Sequence, residues 1–232
     1  MSLPFFYVED LDSKLLELNE ETSKHMISVL RMQKGEEILL TDGKGTKARA
    51  AIVDDNRKRC SVQLSSLDRI HENERKVAIG ISLIKNASRF EWFLEKATEI
   101  GVTEIIPLHC ERTEKEKFRY DRMQHILISA MLQSQQCWLP VLHEVTTFKK
   151  AVDLHFDKRY IAHCEETNRH SLQDQQSIDV RSQLILIGPE GDFTHEEIEL
   201  ALQNDFTPVS LGKTRLRTET AGIVAATLLY LA

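Results

Sequence analysis

The segment LILIGPEGDFTHEE, residues 184–197, constrains the fold of this 232-residue chain more than any other stretch. Four consecutive aliphatic residues, 184–187, are typical of a buried strand. The strand must end at the sequence GPEG, because neither a helix nor a strand continues through it. Thr194 and Glu197 then have the spacing of a capping box, which begins a helix. The segment predicts a buried strand, a glycine-bearing turn and a helix, although most such turns only reverse the chain.

From residue 77 onward, strand patterns alternate with helix patterns. Strands are predicted at 77–84, 104–108, 159–163, 184–187 and 208–211, and helices at 89–100, 118–136 and 220–231. Ser88 and Glu91 form a second apparent capping box, and Gly101 is placed to end that helix. The alternation predicts a parallel sheet covered by helices on both faces. Ligands bind such sheets at the carboxyl ends of the strands, where Glu190 lies.

The first 70 residues have a different pattern, typical of a small β-rich domain. Strands are predicted at 5–8, 37–40, 48–53 and 60–64, with one short helix at 22–31. The sequence DGKG at 42–45 is a hairpin signal. The stretch 68–76 is charged and has no apolar periodicity, which is typical of a domain boundary. We therefore predict two domains, residues 1–70 and 75–232.

Composition narrows the class of protein. Hydrophobic residues make up 41% and charged residues 28% of the chain, as in ordinary globular proteins. No apolar run approaches the ~20 residues that span a bilayer, and no secretory leader is evident. The four cysteines are scattered, which predicts a reducing, cytoplasmic location. The lack of a long apolar run predicts that the chain has no membrane partner. The pairs His109-Cys110 and His163-Cys164 predict no metal site, since neighbours on a strand point to opposite faces.

The charge distribution limits how nucleic acid could bind. A net charge of −6 argues against binding by bulk electrostatics. The basic clusters at 57–59 and 115–119 fit solvated loop faces at least as well as a nucleic-acid surface. Binding to a large folded particle would have to depend on shape and on a few placed arginines.

Two C-terminal segments together resemble one known family. LIGPEGDF is followed about twenty residues later by LGKTRLRTETA, residues 211–221. The pair resembles the RsmE family of 16S rRNA uracil-N3 methyltransferases, in the SPOUT (α/β trefoil-knot) superfamily. HMISVLRM at 25–32, RFEWFLEKATEIG at 89–101 and the strand exit from Pro107 to Glu111-Arg112 resemble further family segments. The stretch 132–140 and Pro4 depart from the family pattern.

The resemblance implies a fold and a set of partners. The fold would be α/β, with a C-terminal SPOUT-type trefoil-knot domain around a parallel sheet and a small N-terminal PUA-like β-barrel. The final helix would thread through a loop near 188–218. The implied partners are S-adenosylmethionine as methyl donor, 16S rRNA within the small ribosomal subunit, and a second copy of the chain. The final helix is small and apolar all round, which suits a homodimer interface.

The resemblance also implies site residues. The donor would be bound mainly through main-chain groups, which glycines leave accessible. The implied donor-binding residues are Ile187, Gly188, Pro189, Gly191, Leu211, Gly212, Leu216 and Thr220. The implied RNA-binding residues are His25, Arg31, Arg89, Arg112 and Arg215.

Methylation at uracil N3 requires loss of the N3 proton, so the site should favour the uracilate. Arg217 is the candidate cation, because it keeps its charge. Glu190 and Glu219 are the candidate carboxylates; either could accept the proton, orient Arg217 or only pin two loops. Thr218 or Thr220 is expected to cap the final helix.

N3 lies on the base-pairing edge, so the target uridine must be unpaired or flipped out. Phe193, Trp138 and the pair at 5–6 are the aromatic candidates for stacking on it, although each residue type is more often found in a core.

Two other functions remain open. A SPOUT ribose 2′-O-methyltransferase is the rival reaction, although TETA at 218–221 differs from the motif of those enzymes. A non-catalytic RNA-binding adaptor is the rival from another class, and the intact glycines and Arg217 argue against it.

Overall fold

The computed structural model describes residues 3–114, 117–165, 169–175 and 180–231. The chain forms two compact units, one of Met1–Glu72 with Met131–Leu139 and the other of Asn73–Ala130 with Pro140–Ala232. The predicted domains, 1–70 and 75–232, did not anticipate that residues 131–139 group with the first unit. Part of the basic cluster at 115–119 lies outside the described residues.

The first unit is built on a five-stranded sheet of order β1-β3-β4-β5-β2, in which β1 and β3 are parallel and the other pairs antiparallel. Its strands are β1 (Phe5–Tyr7), β2 (Leu15–Glu17), β3 (Glu37–Thr41), β4 (Thr46–Asp54) and β5 (Ser61–Arg69). The predicted hairpin between β3 and β4 is confirmed. Asp42 closes it by accepting hydrogen bonds from the N–H groups of Lys44 and Thr46 at 2.8 and 3.0 Å.

The single helix of the first unit differs from the prediction. Helix α1 covers Glu20–Lys24 and begins with Asn19, whose side chain accepts from the N–H of Thr22. It continues as a π-helical turn, His25–Val29, instead of an α-helix to residue 31. Strand β2 was not predicted, because its three residues are too short to show a period.

The second unit is built on a parallel sheet of order β11-β13-β10-β12-β6-β7-β8, with β9 paired to β7. Its strands are β6 (Lys76–Ser82), β7 (Glu104–His109), β8 (Val141–Leu142), β9 (Thr146–Thr147), β10 (Lys158–Ala162), β11 (His170–Ser171), β12 (Ser182–Ile187) and β13 (Thr207–Ser210). Every pairing in it is parallel. The predicted parallel α/β sheet is confirmed, with the 184–187 strand at its centre between β10 and β6.

Five α-helices accompany this sheet within the described residues. They are α2 (Ala87–Ile100), α3 (Tyr120–Gln133), α4 (Phe148–Ala151), α5 (His195–Gln203) and α6 (Thr218–Tyr230), and a 3-10 turn covers Leu172–Gln175. None of the described helices is long and apolar enough to cross a membrane.

The helix ends test the capping predictions. The capping box at Thr194 and Glu197 is confirmed in both directions. The box at Ser88 and Glu91 is wrong, because Asn86 is the N-cap and accepts from the N–H of Ser88. Glu91 instead binds the Arg122 guanidinium at 2.6 and 2.9 Å. The predicted cap lies two residues after the true one.

Helix α6 begins earlier than predicted and without a side-chain cap. Its N-cap is Arg217, which makes no capping hydrogen bond, so the capping role expected of Thr218 or Thr220 is wrong. Gly222 faces α2 so closely that a Cβ there would lie 2.6 Å from the Phe93 ring. The predicted threading of this helix through the 188–218 loop stays a prediction.

Candidate active site

The turn that follows β12 is short and closed by its own backbone. The N–H of Asp192 donates to the carbonyl of Pro189 at 2.9 Å. Gly188 lies against the Phe193 ring, where a Cβ would come within 3.1 Å of a ring carbon. A side chain at 188 would therefore require the Phe193 ring to shift by a few tenths of an ångström.

Two hydrogen bonds tie the start of this turn to distant segments. The Thr218 hydroxyl, at the first residue of α6, donates to the carbonyl of Gly188 at 3.1 Å. The N–H of Lys85, in the loop after β6, donates to Oε1 of Glu190 at 3.2 Å. The turn is therefore fixed by elements more than 25 residues away in sequence on either side.

Two further contacts tie the end of the turn. Arg112, in the loop after β7, donates to the carbonyls of Gly191 and Phe193 at 2.8 and 3.2 Å. The N–H of Cys164, after β10, donates to Oδ2 of Asp192 at 2.7 Å. The loops after four parallel strands thus meet at one place, the carboxyl edge of the sheet where α/β proteins bind ligands.

A cleft of about 310 Å³ opens beside this turn. Its lining combines the turn, the end of β10 and the segment that leads into α6. The lining residues are Ala162, Cys164, Ile187, Gly188, Pro189, Glu190, Asp192, Arg215, Leu216, Arg217, Thr218 and Ala221. The volume lies at the lower end of the ~300–1,000 Å³ typical of small-molecule sites.

The cleft carries charges of both signs. Glu190 and Asp192 supply carboxylates, and Arg215 and Arg217 supply guanidinium groups. The structure shows no ion pair between Glu190 and Arg217 among the described contacts. A donor with a sulfonium, an ammonium and a carboxylate has the mixed charge that such a lining can match.

Six of the predicted donor and catalytic residues line the cleft together. They are Ile187, Gly188, Pro189, Glu190, Leu216 and Arg217. Gly191 belongs to the same turn, and its carbonyl accepts a hydrogen bond from Arg112. The segment that contains Gly188 and the segment that contains Gly212 therefore approach each other, as the sequence predicted. They meet through residues 215–218 and not through Gly212 itself.

Five of the predicted donor and catalytic residues do not line the cleft: Gly191, Leu211, Gly212, Glu219 and Thr220. Glu219 is buried, with Oε1 3.6 Å from Nε of Arg89. Its Oε2 has no hydrogen-bond partner among the described residues. Thr218 and Ala221 of the same helix face the cleft, so Glu219 lies on the side of α6 that faces α2.

The residues predicted to bind RNA are spread over both units. His25 packs edge-on against the Phe6 ring at 6.0 Å, and Arg31 has a left-handed backbone with φ of 58°. Arg89 pairs with Glu219, and Arg112 donates to the glycine turn. Of the four arginines in this set, Arg215 is the member that lines the cleft.

The aromatic stacking candidates lie elsewhere. Phe193 is 2% exposed and packs against Phe148 with ring centroids 5.1 Å apart. Phe6 is buried in the first unit, and the Trp138 indole N–H donates to the carbonyl of Ile70. Phe193 and Phe6 are core residues, so they offer no free face to a base.

Sequence reasoning missed five residues of the cleft, Ala162, Cys164, Asp192, Thr218 and Ala221. Ala162 ends β10 and Cys164 follows it, and a sequence does not show that β10 neighbours β12. Burial, with the Asp192 carboxylate nearby, raises the pKa of the Cys164 thiol. Burial lowers the pKa of His163, which lies between Ala162 and Cys164 in the sequence. Among the described residues, no group of three or more His, Cys, Asp or Glu side chains could hold a metal ion.

Comparison with known proteins identifies the family. The model of the RNA methyltransferase domain family matches residues 71–230, and that of the RNA methyltransferase PUA domain matches residues 18–65. The chain belongs to the RNA methyltransferase family. The resemblance drawn from the two glycine-bearing segments is confirmed, and so is the N-terminal PUA-like unit.

Three relatives show how far the similarity extends. Ribosomal RNA small subunit methyltransferase E of Synechocystis is 35% identical over 85% of this chain and 66% of its own length. A probable rRNA methyltransferase of Porphyromonas gingivalis has 37% identity and a TM-score of 0.90, covering 97% of this chain and 95% of that one. Ribosomal RNA small subunit methyltransferase E of Neisseria gonorrhoeae, solved with S-adenosyl methionine, has 27% identity and a TM-score of 0.85 over the same shares of the two chains.

Proposed function

We propose that this RNA methyltransferase transfers a methyl group from S-adenosylmethionine to N3 of one uridine in the 16S rRNA of the small ribosomal subunit. The observation that carries the proposal is the cleft at the carboxyl edge of the sheet, where residues 187–190 meet 215–218. The relatives named small subunit methyltransferase E, one of them solved with S-adenosyl methionine, support the donor and the substrate.

The donor side of the cleft suits recognition by main chain. Gly188 carries no side chain that could fill the space above the turn, and Ile187, Pro189 and Leu216 supply apolar walls. An uncharged purine edge can be bound by backbone N–H and C=O groups in such a place. The donor arrives already activated, so the protein has to hold it and the nucleophile in line.

The acceptor side requires a cation and a proton acceptor. Arg217 stabilises the uracilate that forms when N3 loses its proton, and Glu190 accepts that proton. Both side chains line the same cleft. The bond from the Lys85 N–H holds one oxygen of Glu190 and keeps that carboxylate on the glycine turn. Glu219 contributes from outside the cleft, because its ion pair with Arg89 joins α6 to α2.

The proposed assembly is a homodimer in the cytoplasm, joined through α6. One face of α6 is buried within the chain, including Gly222, Ala225, Ala226 and Leu229. Apart from Thr220 and Thr227, the partly exposed part of the helix is apolar, and Tyr230 at its end and the following Leu231 are 41% and 75% exposed. An apolar helix with a second, partly exposed face suits an interface.

The test is methyl transfer from labelled S-adenosylmethionine to unmethylated small subunits and to free 16S rRNA, followed by nucleoside mass spectrometry. The proposal predicts 3-methyluridine as the product. A 2′-O-methylated nucleoside would assign the chain to the ribose methyltransferases. Absence of S-adenosylmethionine binding in calorimetry, together with no methylated product, would favour the RNA-binding adaptor.

The roles of the two carboxylates are separated by the pH dependence of the rate. Glu190→Gln should lower kcat and remove the rise of the rate with pH that a general base produces. Glu219→Gln should leave the shape of the pH–rate profile unchanged, because this side chain lies outside the cleft. The reverse result would make Glu219 the proton acceptor.

A further inference from the structure

Asp192 has an unusual backbone for a residue of the cleft. Its φ is 65°, in the left-handed region that glycine adopts freely and that aspartate and asparagine tolerate better than other residues. Three other described non-glycine residues share a positive φ: Arg31, Gln135 and Asp205. Asp192 is the one of these four that lines the cleft.

The Asp192 carboxylate joins two loops that follow neighbouring strands. Oδ2 accepts from the N–H of Cys164 at 2.7 Å, and Oδ1 accepts from the N–H of Phe193 at 2.8 Å. Hydrogen bonds to an ionised acceptor are shorter and stronger than neutral ones. The end of β10 is thereby held against the turn that follows β12.

Both joined segments are walls of the cleft. Ala162 and Cys164 line it from β10, and residues 187–190 line it from β12. Asp192 has a left-handed backbone and its carboxylate contacts the neighbouring loop, while the next residue, Phe193, is buried in the core. Without the carboxylate, a backbone N–H of one wall would lose its acceptor.

We propose that Asp192 is a positioning residue for the methyl donor, which fixes the distance between the β10 wall and the glycine turn. The inference rests on the proposed function, because it assumes that S-adenosylmethionine occupies this cleft. Asp192 acts through the Cys164 backbone. Loss of its carboxylate should therefore weaken donor binding and raise KM more than it lowers kcat.

The decisive variant is Asp192→Gly, which removes the carboxylate and keeps the left-handed backbone available. Calorimetry with S-adenosylmethionine should show a Kd about tenfold weaker than that of the wild type, because the variant loses both hydrogen bonds of the carboxylate, including the one that holds the Cys164 N–H to the turn. The melting temperature should stay within about 4 °C of the wild type, and the Cys164 amide should exchange with solvent faster. Asp192→Asn keeps an acceptor oxygen and should restore most of the affinity.

Asp205→Gly is a matched control. Asp205 has nearly the same φ, 60°, its side chain is 93% exposed, and it lies outside the cleft. The change places glycine in the same left-handed backbone conformation, so any effect of glycine on stability or flexibility in general would occur here too. Its Kd for S-adenosylmethionine should equal that of the wild type.

The outcomes distinguish this inference from the proposed function. A wild-type protein that does not bind S-adenosylmethionine contradicts the proposed function. A wild type that binds, with Asp192→Gly binding equally well, overturns the role of Asp192. Should the glycine variant not fold, hydrogen exchange on the wild type decides: the Cys164 amide must be protected, and more so with donor bound. Exchange at the rate of an exposed amide overturns the inference.

Discussion

At the scale of single residues, the cleft depends on hydrogen bonds between side chains and the backbone of other segments. Thr218, Glu190, Arg112 and Asp192 each join the glycine turn to a different part of the chain. Three of these bonds pair a charged group with a backbone group, a combination that contributes more than a neutral pair. The turn is therefore preorganised before any ligand arrives.

Cys164 gives a direct chemical probe of the cleft. It is exposed, whereas Cys60, Cys110 and Cys137 are buried. The pKa of the Cys164 thiol is raised, as are those of the three buried thiols, so exposure is what separates Cys164 from them. A maleimide should therefore label Cys164 first in the native protein, as mass spectrometry would show. Saturating S-adenosylmethionine should slow this labelling, because Cys164 lines the cleft in which we propose that the donor binds.

The control for the labelling is Cys164→Ser, which should take up almost no reagent in the native state. Labelling of Cys164 at an unchanged rate with donor bound would place the donor elsewhere.

Thr218→Val removes the hydroxyl that donates to the carbonyl of Gly188. Thr218 is 5% exposed, so this carbonyl would lose a partner in a buried place. We expect the free energy of unfolding to fall by about 1–3 kcal/mol in urea titrations. We also expect weaker donor binding.

Thr227→Val is the comparison for that variant. The Thr227 hydroxyl donates to the carbonyl of Ile223 four residues earlier in the same helix. An interior helix carbonyl already accepts a main-chain bond, so the effect should stay below about 1 kcal/mol. Equal losses in the two variants would mean that the Thr218 bond has no special role.

At the scale of elements, the close contact between α2 and α6 places the residues around 218 at the cleft. Gly222 lets the two helices approach, since a Cβ would lie 2.6 Å from a Phe93 ring carbon and 3.0 Å from Ile81. Adding volume to a packed interior forces neighbours out of position. The start of α6 would then move relative to the turn after β12.

Gly222→Ala should destabilise the second unit by about 1–3 kcal/mol in urea unfolding, despite the better helix propensity of alanine. In a Phe93→Leu background the ring atoms are absent, so the same change should cost less, which a double-mutant cycle measures. A cycle with no coupling energy would show that Phe93 is not the obstacle.

The elements themselves were largely predictable from local pattern. The aliphatic run at 184–187, the capping box at Thr194 and the Gly101 terminus are decided by neighbouring residues, and all three were right. The cap at Asn86 was missed because Ser88 and Glu91 have the same spacing by chance. Strands of two or three residues, such as β2, carry no detectable period.

The composition of the cleft was predictable only where a motif marks it. Residues 187–190 and 215–217 lie in the two segments that carry the family resemblance. Ala162, Cys164 and Asp192 join the cleft through the order of strands in the sheet and through a left-handed backbone. Neither property can be read from local sequence, because both are decided by tertiary packing.

At the scale of the whole molecule, the account predicts a dimer joined through α6. Wild-type protein should sediment at twice the chain mass of 26.7 kDa. Val224→Glu places a charge on the partly exposed face of α6 and should give the monomer, because an unpaired charge is costly in an interface core.

Leu202→Glu is the matched control for that variant. Leu202 is 42% exposed on α5, and a charge there should leave the dimer intact. A wild-type protein that sediments as a monomer, or a Val224→Glu variant that stays dimeric, would contradict the proposed interface.

The central claim concerns where the methyl donor binds, so a crystal structure of the protein with S-adenosylmethionine tests it most directly. The account predicts donor density in the cleft at the carboxyl edge of the sheet, in contact with the backbone of residues 187–190 and with residues 215–218. Donor density at any other place on the chain, with that cleft left empty, would contradict it.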